Sequence, residues 1–142
     1  MAVLDSKRLN IVVPHLYPNL QGRTTGGTQD YWLQNDLDEK GTYVVWNTDS
    51  VAKPTDQELA DAKEEAVDAH WFKELRKIRD SLLVESDWSQ GADVPSATKN
   101  SYITYRQELR DLPTAVSKPS FATLVNQEVD EWNIEDLMPT KP

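Results

Sequence analysis

Apolar and polar positions fall into three regimes along the chain. Up to residue 54 the periods are short. Leu9, Ile11 and Val13 stand at every second position, with Asn10 and Val12 between them, which predicts a short strand buried mainly on one face. Pro14 and Pro18 bracket His15, Leu16 and Tyr17 and would stop that strand. The run Arg23–Thr28, with Gly26-Gly27, predicts a loop. Two aromatic runs follow, Tyr31-Trp32-Leu33 and Tyr43-Val44-Val45-Trp46, separated by a polar stretch ending in Lys40-Gly41. Gly41 can take a positive φ and close a turn, so the pair predicts a β-hairpin. A sheet of this size is too small to be stable alone.

The second regime begins at Pro54. Thr55 precedes Glu58 by three residues, a capping box at the start of a helical pattern that meets no glycine or proline before Val84. Thirty helical residues would span ~45 Å. Acidic residues crowd its first half, and Lys73, Arg76, Lys77 and Arg79 lie towards its end, a polarity that complements the helix dipole. Leu59, Ala62, Ala66 and Ala69 form a ridge of small residues, while Trp71, Leu75, Ile78 and Leu82 form a larger one. The first half is therefore expected to pack weakly and the second to bury more. Residues 85–96 interrupt the pattern. A second helix is expected with Ser96 or Thr98 as its cap, Tyr102, Tyr105, Leu109 and Leu112 on one face, and Pro113 as its end. The two stripes can face each other in an αα-hairpin.

After Pro113 the chain loses helical period and is punctuated by prolines. It reads as an extended tail able to bury little against itself, either disordered or laid on a surface. The expected fold class is α+β. A small β-hairpin or sheet region (1–54) precedes a long αα-hairpin (55–113) and an extended acidic and apolar tail (114–142).

Composition narrows the function. Apolar residues make up 38% of the 142, below the ~45–50% of ordinary globular domains, so a thin core is expected. With 15 basic against 24 acidic residues the net charge is −9, and a binder of phosphate backbones needs the opposite balance. No stretch approaches ~18 consecutive apolar residues, so no membrane span is expected. Asp5, Lys7 and Arg8 interrupt the start too early for a signal peptide, which predicts synthesis in the cytoplasm. The absence of cysteine excludes disulfides, thiolate metal sites and cysteine nucleophiles.

Candidate chemistry is sparse. His15 and His70 read as ordinary half-buried histidines, with no second metal ligand expected on the face of either. No serine stands in a nucleophile elbow, and Gly26-Gly27 lacks the remainder of a phosphate loop. Asp61, Glu64, Glu65 and Asp68 read as a solvated helix face, since calcium wants a compact oxygen-rich loop. Neither an enzyme nor a cofactor is expected. Trp88, in the polar loop Ser86-Asp87-Trp88-Ser89-Gln90, is expected to cap an apolar stripe with its indole N–H hydrogen-bonded nearby. Ser86 and Asp87 are expected to receive backbone N–H groups. Arg106 and Arg110 lie four apart on one face of the second helix, Arg76 and Arg79 stand towards the end of the first, and Asp87, Asp93 and Asp111 are close by in sequence. An arginine–carboxylate network clasping the hairpin is the structural expectation; an arginine patch for an acidic ligand is the alternative.

The run Leu75-Arg76-Lys77-Ile78-Arg79-Asp80-Ser81-Leu82-Leu83-Val84-Glu85-Ser86-Asp87-Trp88-Ser89-Gln90, then Asp93, then Tyr105-Arg106-Gln107-Glu108-Leu109-Arg110-Asp111-Leu112-Pro113, resembles a bacteriophage tail family of assembly chaperones and tail-fibre-associated proteins. The family pattern is an arginine-rich helix ending in Leu-Leu, a Ser-Asp-Trp-Thr-Gln loop, a later Asp, and Tyr-Arg-Gln-x-Leu-Arg-Asp-Leu-Pro. Ser89 stands where threonine is commoner, and the chain continues well past the point where many members end. The resemblance implies a non-enzymatic tail protein whose partners are phage tail, baseplate or tail-fibre proteins. Self-association in a symmetric assembly is compatible with it. On the sequence, Trp32, Trp46, Phe121 and Trp132 outside the hairpin suit a protomer that completes its core with neighbours. The expectation is therefore a virion tail component at the baseplate or fibre junction, with a non-virion assembly chaperone as the alternative. Phe121, Leu124, Trp132 and Leu137 are the expected partner-binding residues.

Overall fold

The computed structural model describes residues 6–23 and 29–142. The chain divides into two units, Met1–Ala69 and His70–Pro142.

The first unit opens with a helix where alternation predicted a strand. Helix α1 spans Ser6–Leu16. Leu9, Ile11, Val12 and Val13 are all buried, and Val12 is the residue that breaks the alternation. Positions i, i+3 and i+4 share a helix face, so burying Leu9, Val12 and Val13 together requires a helix, and tertiary packing overrides the β preference of the branched residues. Pro14 lies inside α1; it removes a donor to the carbonyl of Asn10, an exposed position where water can replace it.

The hairpin forms as expected from β2 (Tyr31–Asn35) and β3 (Thr42–Trp46), antiparallel with Leu33 opposite Val44. Gly41 takes φ 72°, the left-handed conformation that a side chain would disfavour. A two-residue strand, β1 (Gly22–Arg23), adds in parallel to β2 and completes the order β1-β2-β3. A Cβ at Gly22 would run into the ring of Tyr31, so glycine is what lets this edge approach. Of the loop expected over Arg23–Thr28, Arg23 belongs to β1 and the remainder lies outside the described residues. Helix α1 packs on β2 and β3. Trp46 packs against the rings of Tyr17 and Tyr31 at 5.3 and 6.0 Å.

Helix α2 runs from Asp56 to Glu85. Its capping box is complete: Glu58 N–H donates to Thr55 Oγ1 at 3.1 Å, and Thr55 N–H donates to Glu58 Oε2 at 2.8 Å. Pro54 and Leu59, at the two positions of a hydrophobic staple, are both buried. The first half packs better than its small-residue ridge suggested, because Val67 is fully buried with Leu59 and Ala66, while Ala69 is exposed.

In the second unit Trp71 and Leu75 of α2 are fully buried. Helix α3 spans Ser96–Ala115. Pro95 is its N-cap and makes no side-chain cap bond, so neither Ser96 nor Thr98 caps it. Pro113 does not end it either; the helix continues to Ala115, where Val116 N–H still reaches Leu112 O at 2.9 Å. Tyr102, Tyr105 and Leu109 form a buried cluster against Leu82, Leu83 and Met138. Of the stripe expected on α2, Leu82 is the residue in this cluster; Leu83, outside that stripe, joins it, and Leu112 of the facing stripe does not.

The tail is folded, not extended. Ser120 caps the short helix α4 (Phe121–Val125) by accepting from Thr123 N–H at 3.3 Å. Two 3₁₀ turns follow, Val129–Trp132 and Ile134–Leu137, joined by Asn133 at φ 50°. Leu124, Trp132 and Ile134 are buried, and the Trp132 indole N–H donates to Leu124 O at 3.1 Å. Side-chain capping and single buried anchors hold this segment, and neither leaves a period that the sequence displays.

Candidate functional site

The motif loop closes the C-terminal end of α2. Ser86 is fully buried, and its hydroxyl points back to the carbonyls of Leu82 and Leu83 at 2.8 and 3.1 Å. This is the back-bonding that serine offers in the last turn of a helix. Asp87–Gln90 then forms a 3₁₀ turn. Inside it the buried Ser89 donates to Ser86 O at 2.6 Å and accepts from Gln90 Nε2 at 2.9 Å. The Ser86 hydroxyl thus donates to carbonyls and makes no side-chain cap bond to the turn, where the sequence suggested it would receive backbone N–H groups.

Arg106 completes the arrangement from α3. It is 9% exposed. Its Nη1 donates to Leu83 O at 2.6 Å and Ser86 Oγ at 2.8 Å, and its Nη2 donates to Asp87 Oδ1 at 2.8 Å. One guanidinium therefore satisfies a helix-end carbonyl, a buried hydroxyl and a carboxylate together, the fixed fork that suits arginine and not lysine.

The wider network expected around it does not assemble. Arg110 and Asp111 are exposed on α3. Asp111 accepts from Gln107 Nε2 at 3.0 Å. Arg79 binds the adjacent Asp80 at 2.7 Å, and Arg76 lies over the ring of Phe72 at 5.5 Å. Of the motif residues singled out, Asp87 and Arg106 meet directly.

Trp88 is 55% exposed and sits at the edge of the apolar stripe of α3. Its ring meets Tyr102 edge-on at 5.1 Å, and the neighbouring turn residues use their side chains on the fold. Of the four expected partner-binding residues, Leu124 and Trp132 are buried, Phe121 is half-buried and Leu137 is exposed.

Among the described residues no group of three or more His, Asp or Glu could hold a metal ion. His15 faces Glu65 at 3.7 Å. His70 does have a carboxylate on its face, Glu74 one turn on at 3.8 Å, which the sequence reading missed. Burial holds the His70 imidazole below the usual histidine range, and Glu74 pulls the other way. Its ring also meets that of Trp132 at 5.9 Å. On the hairpin, Asp36 is held below the usual carboxylate range by hydrogen bonds from Gln34 and Tyr43. No described helix is long and apolar enough to cross a membrane.

Residues 72–132 match the family described as phage tail assembly chaperone protein, and residues 9–70 match the family described as XkdW protein. No curated protein and no solved structure matches the chain. The first match contains the whole motif loop, Arg106 and the folded segment to Trp132. Each match covers less than half of the chain, and together they support a phage tail assembly chaperone-like family and a phage tail-related role.

Proposed function

We propose that the protein is an assembly factor that holds a phage tail protein and releases it, and that it is not a permanent part of the virion. The observation that carries this reading is the fate of the C-terminal apolar residues. Leu124, Trp132 and Ile134 are buried in the chain on its own, so these residues need no neighbouring protein to cover them. An obligate structural subunit was expected because Trp32, Trp46, Phe121 and Trp132 would need a neighbour; Trp132 is buried in the chain itself and the other three are half-buried. A protomer locked into a baseplate needs a large apolar interface, ~2,000 Å² or more. Here the large exposed apolar side chains include Leu37, Val84, Trp88, Ile103 and Leu137, a supply suited to a modest and exchangeable contact. The similarity of residues 72–132 to a family of phage tail assembly chaperones supports the same reading.

The test is mass spectrometry of purified infectious particles beside the infected-cell lysate, with the tagged protein used for pull-down. The expected result is a protein abundant in lysate, captured with a tail, baseplate or tail-fibre protein, and missing from particles. A fixed stoichiometric copy number in particles would overturn the proposal and favour the baseplate or fibre-junction component.

A further inference from the structure

The chain's last residues, after the Ile134–Leu137 turn, lie back on the second unit. Met138 is half-buried against the Tyr102, Tyr105 and Leu109 cluster. Three residues on, Lys141 Nζ meets Glu85 Oε1 at 2.5 Å. Beside this segment runs a groove of about 640 Å³, walled by Ile78, Leu82 and Tyr105 from the two helices and by Met138 and Pro139 from the segment itself.

The attachment is light. Met138 N–H donates to Glu135 O at 3.2 Å, and beyond it the backbone makes no further backbone hydrogen bond among the described residues. Pro139 and Pro142 have no N–H to give. The Lys141–Glu85 pair is 47% and 55% exposed, and ion pairs in water hold little. Methionine, unbranched and flexible, adapts to a site without locking into it. The space beside the segment falls within the ~300–1,000 Å³ of sites that accept a ligand.

We propose that Met138–Lys141 is a displaceable strap, an internal stand-in for a client. The client is an extended stretch of a phage tail polypeptide carrying an apolar residue, then a proline, then a lysine or arginine two residues later. It takes the strap's place against Ile78, Leu82 and Tyr105 and pairs with Glu85. The chemistry of the occupant is read from the segment that sits there now. The identity of the client rests on the function proposed above, whereas the strap stands on its own contacts. A closed strap lowers the apparent affinity of a competitor by the fraction of molecules left open, about tenfold if one in ten is open.

The probe is a fluorescent synthetic peptide of residues 137–142, titrated by anisotropy. It is added to the unaltered chain, to the full-length Lys141→Glu variant and to a chain ending at Leu137. Both altered chains are expected to bind it about tenfold more tightly than the unaltered one. Glu85→Lys in the shortened chain is expected to weaken binding several-fold. If the shortened chain fails to fold by circular dichroism, the Lys141→Glu variant carries the same comparison, because that exposed side chain is outside the core. Equal affinity for all chains, or binding to none, overturns the strap. Pull-down of tail proteins separates the two proposals. Tighter peptide binding with no tail protein captured removes the function and leaves the strap. Equal capture by all chains together with equal peptide affinity removes the strap and leaves the function.

Discussion

The two ends of helix α2 are closed in different ways. At its start, everything comes from within a few residues: Thr55 and Glu58 exchange hydrogen bonds, and Pro54 and Leu59 are buried on either side. At its end, the last carbonyls face Val84-Glu85-Ser86-Asp87, a stretch without glycine or a basic residue. A helix start needs acceptors, and short polar side chains supply them locally. A helix end needs donors, commonly a left-handed glycine or a nearby cation. This chain has neither there. Ser86 turns its own hydroxyl back, and Arg106 arrives from α3, twenty positions later in sequence, to complete the set. The lysines and arginines earlier in α2 that seemed placed for the dipole stop short, since the last turn contains no basic residue. One end is a local device and the other a tertiary one.

That contrast can be broken by mutation. Arg106→Ala should have the largest effect, about 3 kcal/mol in chemical denaturation, because hydrogen bonds to charged groups contribute ~1.5–3 kcal/mol and a buried serine loses its partner. Arg106→Lys should recover less than half of this, since an ammonium cannot span all three acceptors. Full recovery by lysine would show that charge alone, without the fork, closes the helix. Asp87→Ala should cost only about 1 kcal/mol, its carboxylate being 63% exposed. Thr55→Ala at the opposite end should likewise cost about 1 kcal/mol, with helicity lost locally; a loss as large as that of Arg106→Ala would erase the distinction. Trp88→Ala should cost no more than about 1 kcal/mol through its edge contact with Tyr102. A much larger loss would mean that the ring is buried in solution.

The smallest effect concerns pH. The folded state holds His70 below its unfolded value, so the unfolded chain binds the extra proton first. The stability tied to neutral His70 is present above about pH 6.5 and falls as pH drops through and below that value. His70→Gln should flatten this part of the melting profile between about pH 7.5 and pH 5.5. An unchanged profile would exclude the histidine as its source.

What the sequence discloses follows the same division. The hairpin was legible because Gly41 and two aromatic runs are neighbours in sequence, and α2 because its cap and its freedom from proline and glycine are local. The motif loop was legible as a structural clasp, but its wiring was not: that Arg106 alone reaches it, with Arg110 exposed, depends on the placing of α3. The helix α1 was misread because Val12 completes a helical face only when the sheet offers something to pack on. The segment after Pro113 was misread as extended because Leu124 and Trp132 lie eight residues apart, and their hydrogen bond has no period to betray it. Trp88 meets Tyr102 of the predicted stripe, but a tryptophan beside a stripe does not say how much of its ring meets water.

The closure of α2 by a later helix also sets an order of events during synthesis. The start of the helix can form as soon as residues 54–59 have emerged, using contacts that close the shortest of loops. The last turn cannot be finished until Arg106 is made, so a nascent chain paused between the two helices holds the Leu83 carbonyl and the Ser86 hydroxyl without their guanidinium donor. Chains generally mature by cooperative units, and here residues up to Arg106 must be translated before the end of α2 is sealed. A ribosome-stalled chain ending just before Arg106 should therefore have a protease-sensitive loop at Ser86–Gln90, and one extended through α3 should not.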